Sequence, residues 1–129
     1  MLTAIVVGVA GGLGALLRHL VDGALQERPS RIHPGSASVP YGTLVVNVVG
    51  SFVMGAVTGA FWYHDLPGRW RSIVGTGLCG GLTTWSTASW ETVQLATLGR
   101  IGLAVLYALG GMTLAVLGAV AGIALGGAL

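Results

Sequence analysis

Lysine is absent from this chain, acids number four, and cysteine occurs once. Each shortage excludes something. Charged residues make up 8% of the 129 positions, against roughly 25% in a soluble domain. So few charges cannot cover a water-facing surface, and the chain reads as an integral membrane protein. Cys79 has no partner for an intrachain disulfide, and no CxxC or Cys/His cluster offers a zinc site. It reads as a small core residue. All six basic residues are arginine and the net charge is +2, too small an excess to suggest nucleic acid. The spacing of Gly75 to Gly80 superficially resembles a phosphate-binding loop, but no lysine follows Gly81, so a P-loop is rejected.

What is present is apolar sequence. Hydrophobic residues make up 53% of the chain, and mean hydropathy is +0.83. A spanning helix takes about 20 residues, so the length allows four spans in one membrane domain covering 1–129. Span one is read over 2–20, as a retained first span because the N-terminus has no charged leader region and no clear cleavage site. Span two is read over 39–63, with Pro40 in its first turn. Span three covers 72–98, and span four runs from Ile101 to the C-terminus. A polar loop, Asp22 to Ser38, joins the first two. Gly99 and Arg100 form a tight turn between the last two.

The arginines orient these spans weakly. Arg18, Arg28, Arg31 and Arg100 fall on one side, Arg69 and Arg71 on the other. So small a bias is compatible with insertion in both orientations and equally with one fixed orientation set by the richer side. Small residues recur at packing intervals, at Gly8 and Gly12 and at Gly118, Gly122 and Gly126, so backbones can approach closely between subunits or within one.

Polar chemistry concentrates in two places. In span two, Thr43, Asn47, Ser51, Gly55 and Gly59 follow an i, i+4 series and form one polar and small stripe. The Asn47 carboxamide can line a pore with its N–H donors, or simply bond a neighbouring helix. In span three, GTGLCGGLTTWSTASWE (Gly75–Glu91) places four glycines before a run of hydroxyls. In hydrocarbon every backbone polar group needs a partner, so such a stretch belongs inside protein or along a wet cavity. Discontinuous helices of this kind hold ions in transporters. Glu91 is the one acid clearly within a span and is a functional candidate on that ground, or an interfacial carboxylate near the helix end. Amide and hydroxyl donors, and the positive edge of an aromatic ring, could replace the water lost by an anion. Rings of acids, as expected for cation selection, are absent.

The strings GGLGALLRH (Gly11–His19), YGTLVVNVVGSFVMG (Tyr41–Gly55) and Gly75–Glu91 resemble the Fluc (CrcB) family of bacterial fluoride channels. The similarity extends over the whole chain, and the last two strings are the specific ones. The resemblance implies an all-α membrane protein of four transmembrane helices, the third broken mid-membrane. It implies an antiparallel, dual-topology homodimer in the bacterial plasma (inner) membrane, surrounded by lipid, that passively exports fluoride. By motif position, Asn47 resembles the pore asparagine and Arg18 the basic residue of the first-span motif. Ser86, Thr87 and Tyr107 resemble polar pore-lining residues, and Glu91 resembles the acid after the hydroxyl run. Ser51, one turn beyond Asn47, joins the pore set. The carbonyls of Gly80 and Thr83 resemble the ligands of a structural Na⁺ at the dimer centre.

One departure stands out. The family pattern TTFSTF carries two phenylalanines whose ring edges meet fluoride; here the first is Trp85 and the second is Ala88. Tryptophan can offer an edge, alanine cannot. The same feature fits a partner subunit in a channel of two different homologous chains. A small dual-topology drug/proton exporter would need an acid within span one, and none precedes Asp22. An enzyme is disfavoured, because no His, Cys or acid pair has a plausible intramembrane spacing.

If the chain inserts both ways, single cysteines at Ser30 and Gly68 in a Cys79→Ala background should each label in part from outside intact cells. Complete labelling of one site and none of the other would reject dual insertion.

Overall fold

In a computed structural model, residues 1–25 and 39–129 are described. The loop residues Arg28 and Arg31, with Pro29, Ser30 and Pro34, lie outside them. Among the described residues all regular structure is helical: α1 (Leu2–Leu25), α2 (Tyr41–Tyr63), α3 (Gly68–Trp70), a π-helix (Arg71–Cys79), α4 (Gly80–Leu82), α5 (Trp85–Thr97) and α6 (Ile101–Ala128). Helices α1, α2 and α6 are each long and apolar enough to cross a membrane. The segment from α3 to α5 forms the fourth arm. Much of the outer surface is large and apolar, including Leu13, Leu16, Leu106, Leu109 and Leu117, as expected where hydrocarbon rather than water is the solvent.

Helix α1 extends past the expected end near Leu20 to Leu25 and takes in Asp22. Close partners hold this end of the helix. Arg18 donates to the Thr83 carbonyl at 3.3 Å. Asp22 lies so close to Gly42 of α2 that a side chain at Gly42 would collide with it.

Helices α2 and α6 form the most extensive contact, followed by α1 against the π-helix. Small residues make both possible. A Cβ on Gly118 would stand 3.1 Å from the Val48 carbonyl, and those on Gly122 and Gly126 would strike the Phe52 and Ala56 carbonyls. Gly55 and Gly59 return the fit from α2, onto Ala119 and Ile123. The glycine series of span four therefore works within the subunit, where carbonyl and helix dispersion contacts replace the missing hydrophobic drive. Gly8 and Gly12 are different: nothing lies within 4 Å of a Cβ at either. On α1 the tight positions are instead Gly14, against Leu78 and Leu82, and the carbonyl of Gly11, which abuts Gly81.

The π-helix is an i→i+5 winding, with the Gly80 N–H bonded to the Gly75 carbonyl and shared with that of Gly77. Such windings are rare and usually short. Here Gly77 lets α1 close in, since a Cβ there would sit 2.8 Å from the Val7 carbonyl. At the far end, α5 stops in a Schellman motif. Gly99 takes φ +76°, its N–H bonds Ala96 O at 3.0 Å, and the Arg100 N–H bonds Leu95 O at 3.0 Å. The tight turn read at Gly99–Arg100 is this motif. It folds α6 back on α5, burying Leu95, Ala104 and Tyr107 together.

These contacts sort the glycines. Gly122→Leu should lower thermal stability of the purified protein by the equivalent of ~1–3 kcal/mol or prevent folding, as overpacking does. Gly12→Ala should be tolerated. Equal effects in a detergent melting assay would contradict this packing.

Candidate functional site

The site begins with a change in backbone. Thr83 is extended (φ −80°, ψ 156°) and so is Thr84 (φ −150°, ψ 124°), between helical residues on either side. The glycines before them are wound into the π-helix and α4. The hydroxyl residues, not the glycines, carry the extended backbone. Thr83 turns back on the preceding helix, its N–H and its hydroxyl both donating to Cys79 O at 2.9 Å. Thr84 turns forward. Its Oγ1 accepts from the Thr87 N–H at 3.2 Å, capping α5, as threonine does at a helix start. Its hydroxyl donates to Thr87 Oγ1 at 3.0 Å and lies 3.3 Å from Ser86 Oγ.

Two helices hold this dipeptide. From α1, Arg18 reaches the Thr83 carbonyl. From α2, Asn47 bonds both sides of the Thr84 residue: Nδ2 donates to Thr84 O at 2.9 Å, and Oδ1 accepts from Thr84 N at 2.7 Å. Gly50, one turn further along α2, gives the room, for a Cβ there would strike Thr83 Cγ2.

A groove of about 540 Å³ opens beside the extended pair. Asn47, Ser51, Trp85, Ala88 and Tyr107 line it, with α6 forming the opposite wall. Its surface is mostly apolar with few polar groups, the usual character of a small-ligand site. Trp85 is 75% exposed, so its ring has few internal contacts. Ala88 lines the same groove and offers no ring edge.

At one side of the groove lies a buried polar cluster. Glu91 is 8% exposed. Thr43 Oγ1 donates to its Oε1 at 2.9 Å, and Tyr107 OH donates to its Oε2 at 2.6 Å. Both carboxylate oxygens are therefore acceptors in donor-matched bonds, which is what keeps such a group inside. Glu91 is not at a water interface.

The sequence-expected residues thus fall into groups. Asn47, Ser51, Trp85 and Tyr107 meet at the groove. Glu91 stands behind Tyr107. Ser86 and Thr87 occupy the first turn of α5, with Ser86 exposed. Arg18 and Gly80 belong to the α1 side, and Gly80 is exposed too. Two residues were under-read from sequence. Thr43 is the second donor to Glu91, signalled by its place one turn before Asn47. Thr84 matters through its backbone, which no side-chain pattern announces. Among the described residues no group of three or more His, Cys, Asp or Glu could hold a metal.

Fold and site together define a small polytopic helical membrane protein with a polar break facing an apolar groove. A family model described as CrcB-like protein, Camphor Resistance (CrcB), matches residues 5–123, and the chain belongs to this family. It is 46% identical over 126 residues to "Fluoride-specific ion channel FluC 1" of Leifsonia xyli subsp. xyli, covering 98% of this chain and 88% of the relative. It is 43% identical to "Fluoride-specific ion channel FluC 2" of Nitrobacter hamburgensis, covering 94% of each. A third relative, "Fluoride-specific ion channel FluC" of Methylobacterium nodulans, is 39% identical over 97% of this chain and 96% of its own length.

The cluster sets a stability test. Tyr107→Phe leaves Glu91 Oε2 buried without its donor and should cost about 1–3 kcal/mol, read as a lower melting temperature. In a Glu91→Leu background the same change should cost much less. Equal costs in both backgrounds would show that the bond contributes nothing.

Proposed function

We propose that the chain is a passive, fluoride-selective channel of the bacterial inner membrane that lets fluoride leave the cell, working as an antiparallel homodimer. One observation carries this reading: similarity over nearly the whole chain to proteins named fluoride-specific ion channels. The site chemistry supports it. An anion stripped of water must recover many kcal/mol from its surroundings. The spare N–H of Asn47, the hydroxyls of Ser51, Ser86 and Thr87, and the edge of Trp85 are donors of the right sign. Tyr107 OH is committed to Glu91 in this arrangement and acts at the pore wall by anchoring that acid.

The helix break is proposed to lie mid-membrane and to hold a structural Na⁺ between two copies. In a continuous helix the Thr84 N–H would bond the Gly80 carbonyl, but here it is bonded to Asn47. That diversion leaves the Gly80 carbonyl available. Thr83 O accepts one long bond from Arg18 and retains a second lone pair. Carbonyls at a broken helix suit Na⁺, and the bound ion would supply fixed positive charge at the subunit junction.

Ala88 supports a second reading, a subunit that pairs with a different, ring-bearing homologue. A drug/proton exporter is set aside by family membership.

Liposomes holding this chain alone distinguish the two. The homodimer should release fluoride, Trp85→Ala should slow it, and Ala88→Phe should raise it. A well-folded dimer that passes no fluoride would favour the two-chain channel.

A further inference from the structure

We infer that Asn47 is the positioning residue of the helix break, its carboxamide standing in for the helical turn that Thr83 and Thr84 omit. A carboxamide carries one acceptor oxygen and two N–H donors. Asn47 uses the oxygen on Thr84 N at 2.7 Å and one N–H on Thr84 O at 2.9 Å. It therefore pairs with the Thr84 backbone as one peptide pairs with another across two strands.

Three further features depend on that pairing. The N–H of Thr84 is drawn away from the Gly80 carbonyl. The Thr84 side chain is left free to cap α5 through the Thr87 N–H at 3.2 Å. The capped first turn then presents Trp85, at 75% exposure, beside the groove. The fit is specific, because Gly50 on the same face of α2 admits Thr83 where any larger residue would collide. Without Asn47, an N–H and a C=O at the groove wall lose their protein partners.

The role is separable from donation to an anion, because aspartate at this position tests the two differently. Its ionised form accepts from Thr84 N but repels Thr84 O. Its protonated form, one donor and one acceptor, reproduces the pairing but lacks the second N–H. Full-length protein in lipid vesicles should be compared as wild type, Asn47→Asp and Asn47→Ala. Two readouts are needed: hydrogen-exchange protection of the Thr84 amide, and fluoride efflux corrected for leak through protein-free vesicles.

We expect the wild-type Thr84 amide to be protected roughly two- to tenfold more than in Asn47→Ala, the factor that a net bond of this kind represents. Asn47→Asp keeps an acceptor for Thr84 N in either form and should retain most of the Thr84 protection. Its flux should be lost near neutral pH and return at least in part on mild acidification, whereas Asn47→Ala should show neither protection nor flux at either pH. Equal Thr84 protection in wild type and Asn47→Ala would overturn the inference. So would an Asn47→Asp protein that lacks Thr84 protection at both pH values yet passes fluoride on acidification, because flux would then not need the pairing. The exchange arm does not rest on the channel reading; absence of flux from wild type would count against the homodimeric channel while leaving the exchange arm decisive.

Discussion

Asn47 exchanges two hydrogen bonds with the backbone of Thr84, and much of the site is arranged around that pair. The solvent imposes the reason. Hydrocarbon provides no partners for backbone polar groups, so a spanning segment can leave helical geometry only where protein supplies replacements. Here α2 supplies them through Asn47, α1 adds Arg18 on the Thr83 carbonyl, and Thr83 serves itself by bonding back to Cys79. Every interaction that lets the chain turn extended comes from a residue whose position the helix packing fixes.

That packing is in turn a matter of absent side chains. The α2–α6 contact needs Gly55, Gly59, Gly122 and Gly126, and the approach of α1 to the fourth arm needs Gly14, Gly77 and Gly81. Lipid gives little reward for burying leucine, so close backbone contact and dispersion hold the helices together. The large apolar residues are left on the outside. The buried polar cluster Thr43–Glu91–Tyr107 is matched bond for bond. It ties α2, α5 and α6 at the point where the groove needs a rigid wall.

Helices α2 and α6 were legible in the sequence because both are continuous apolar runs with a clear boundary, α2 ending at His64 and α6 starting after the turn of Gly99. The end of α1 was not, because Asp22 looks like a loop residue until its close approach to Gly42 of α2 is known. The glycine-rich half of Gly75–Glu91 advertised a break, yet glycine there serves close approach and a π-helix, while the extended residues are threonines. Sequence spacing could mark Asn47 as unusual, but could not tell that its amide faces a backbone. Long-range pairing of a side chain with a peptide leaves no periodic trace. Glu91 was visible as a lone acid in an apolar stretch; its two donors became visible only once three helices were brought together.

The proposed function makes the extended threonines the place where two copies and their ions would meet. The most direct measurement is an experimental structure of the protein in lipid with sodium and fluoride present. The account predicts two antiparallel copies whose Thr83–Thr84 segments face each other, with a single density between them at sodium–oxygen distance from the Gly80 and Thr83 carbonyls. Parallel copies, or extended threonines turned toward lipid with no density between them, would contradict it.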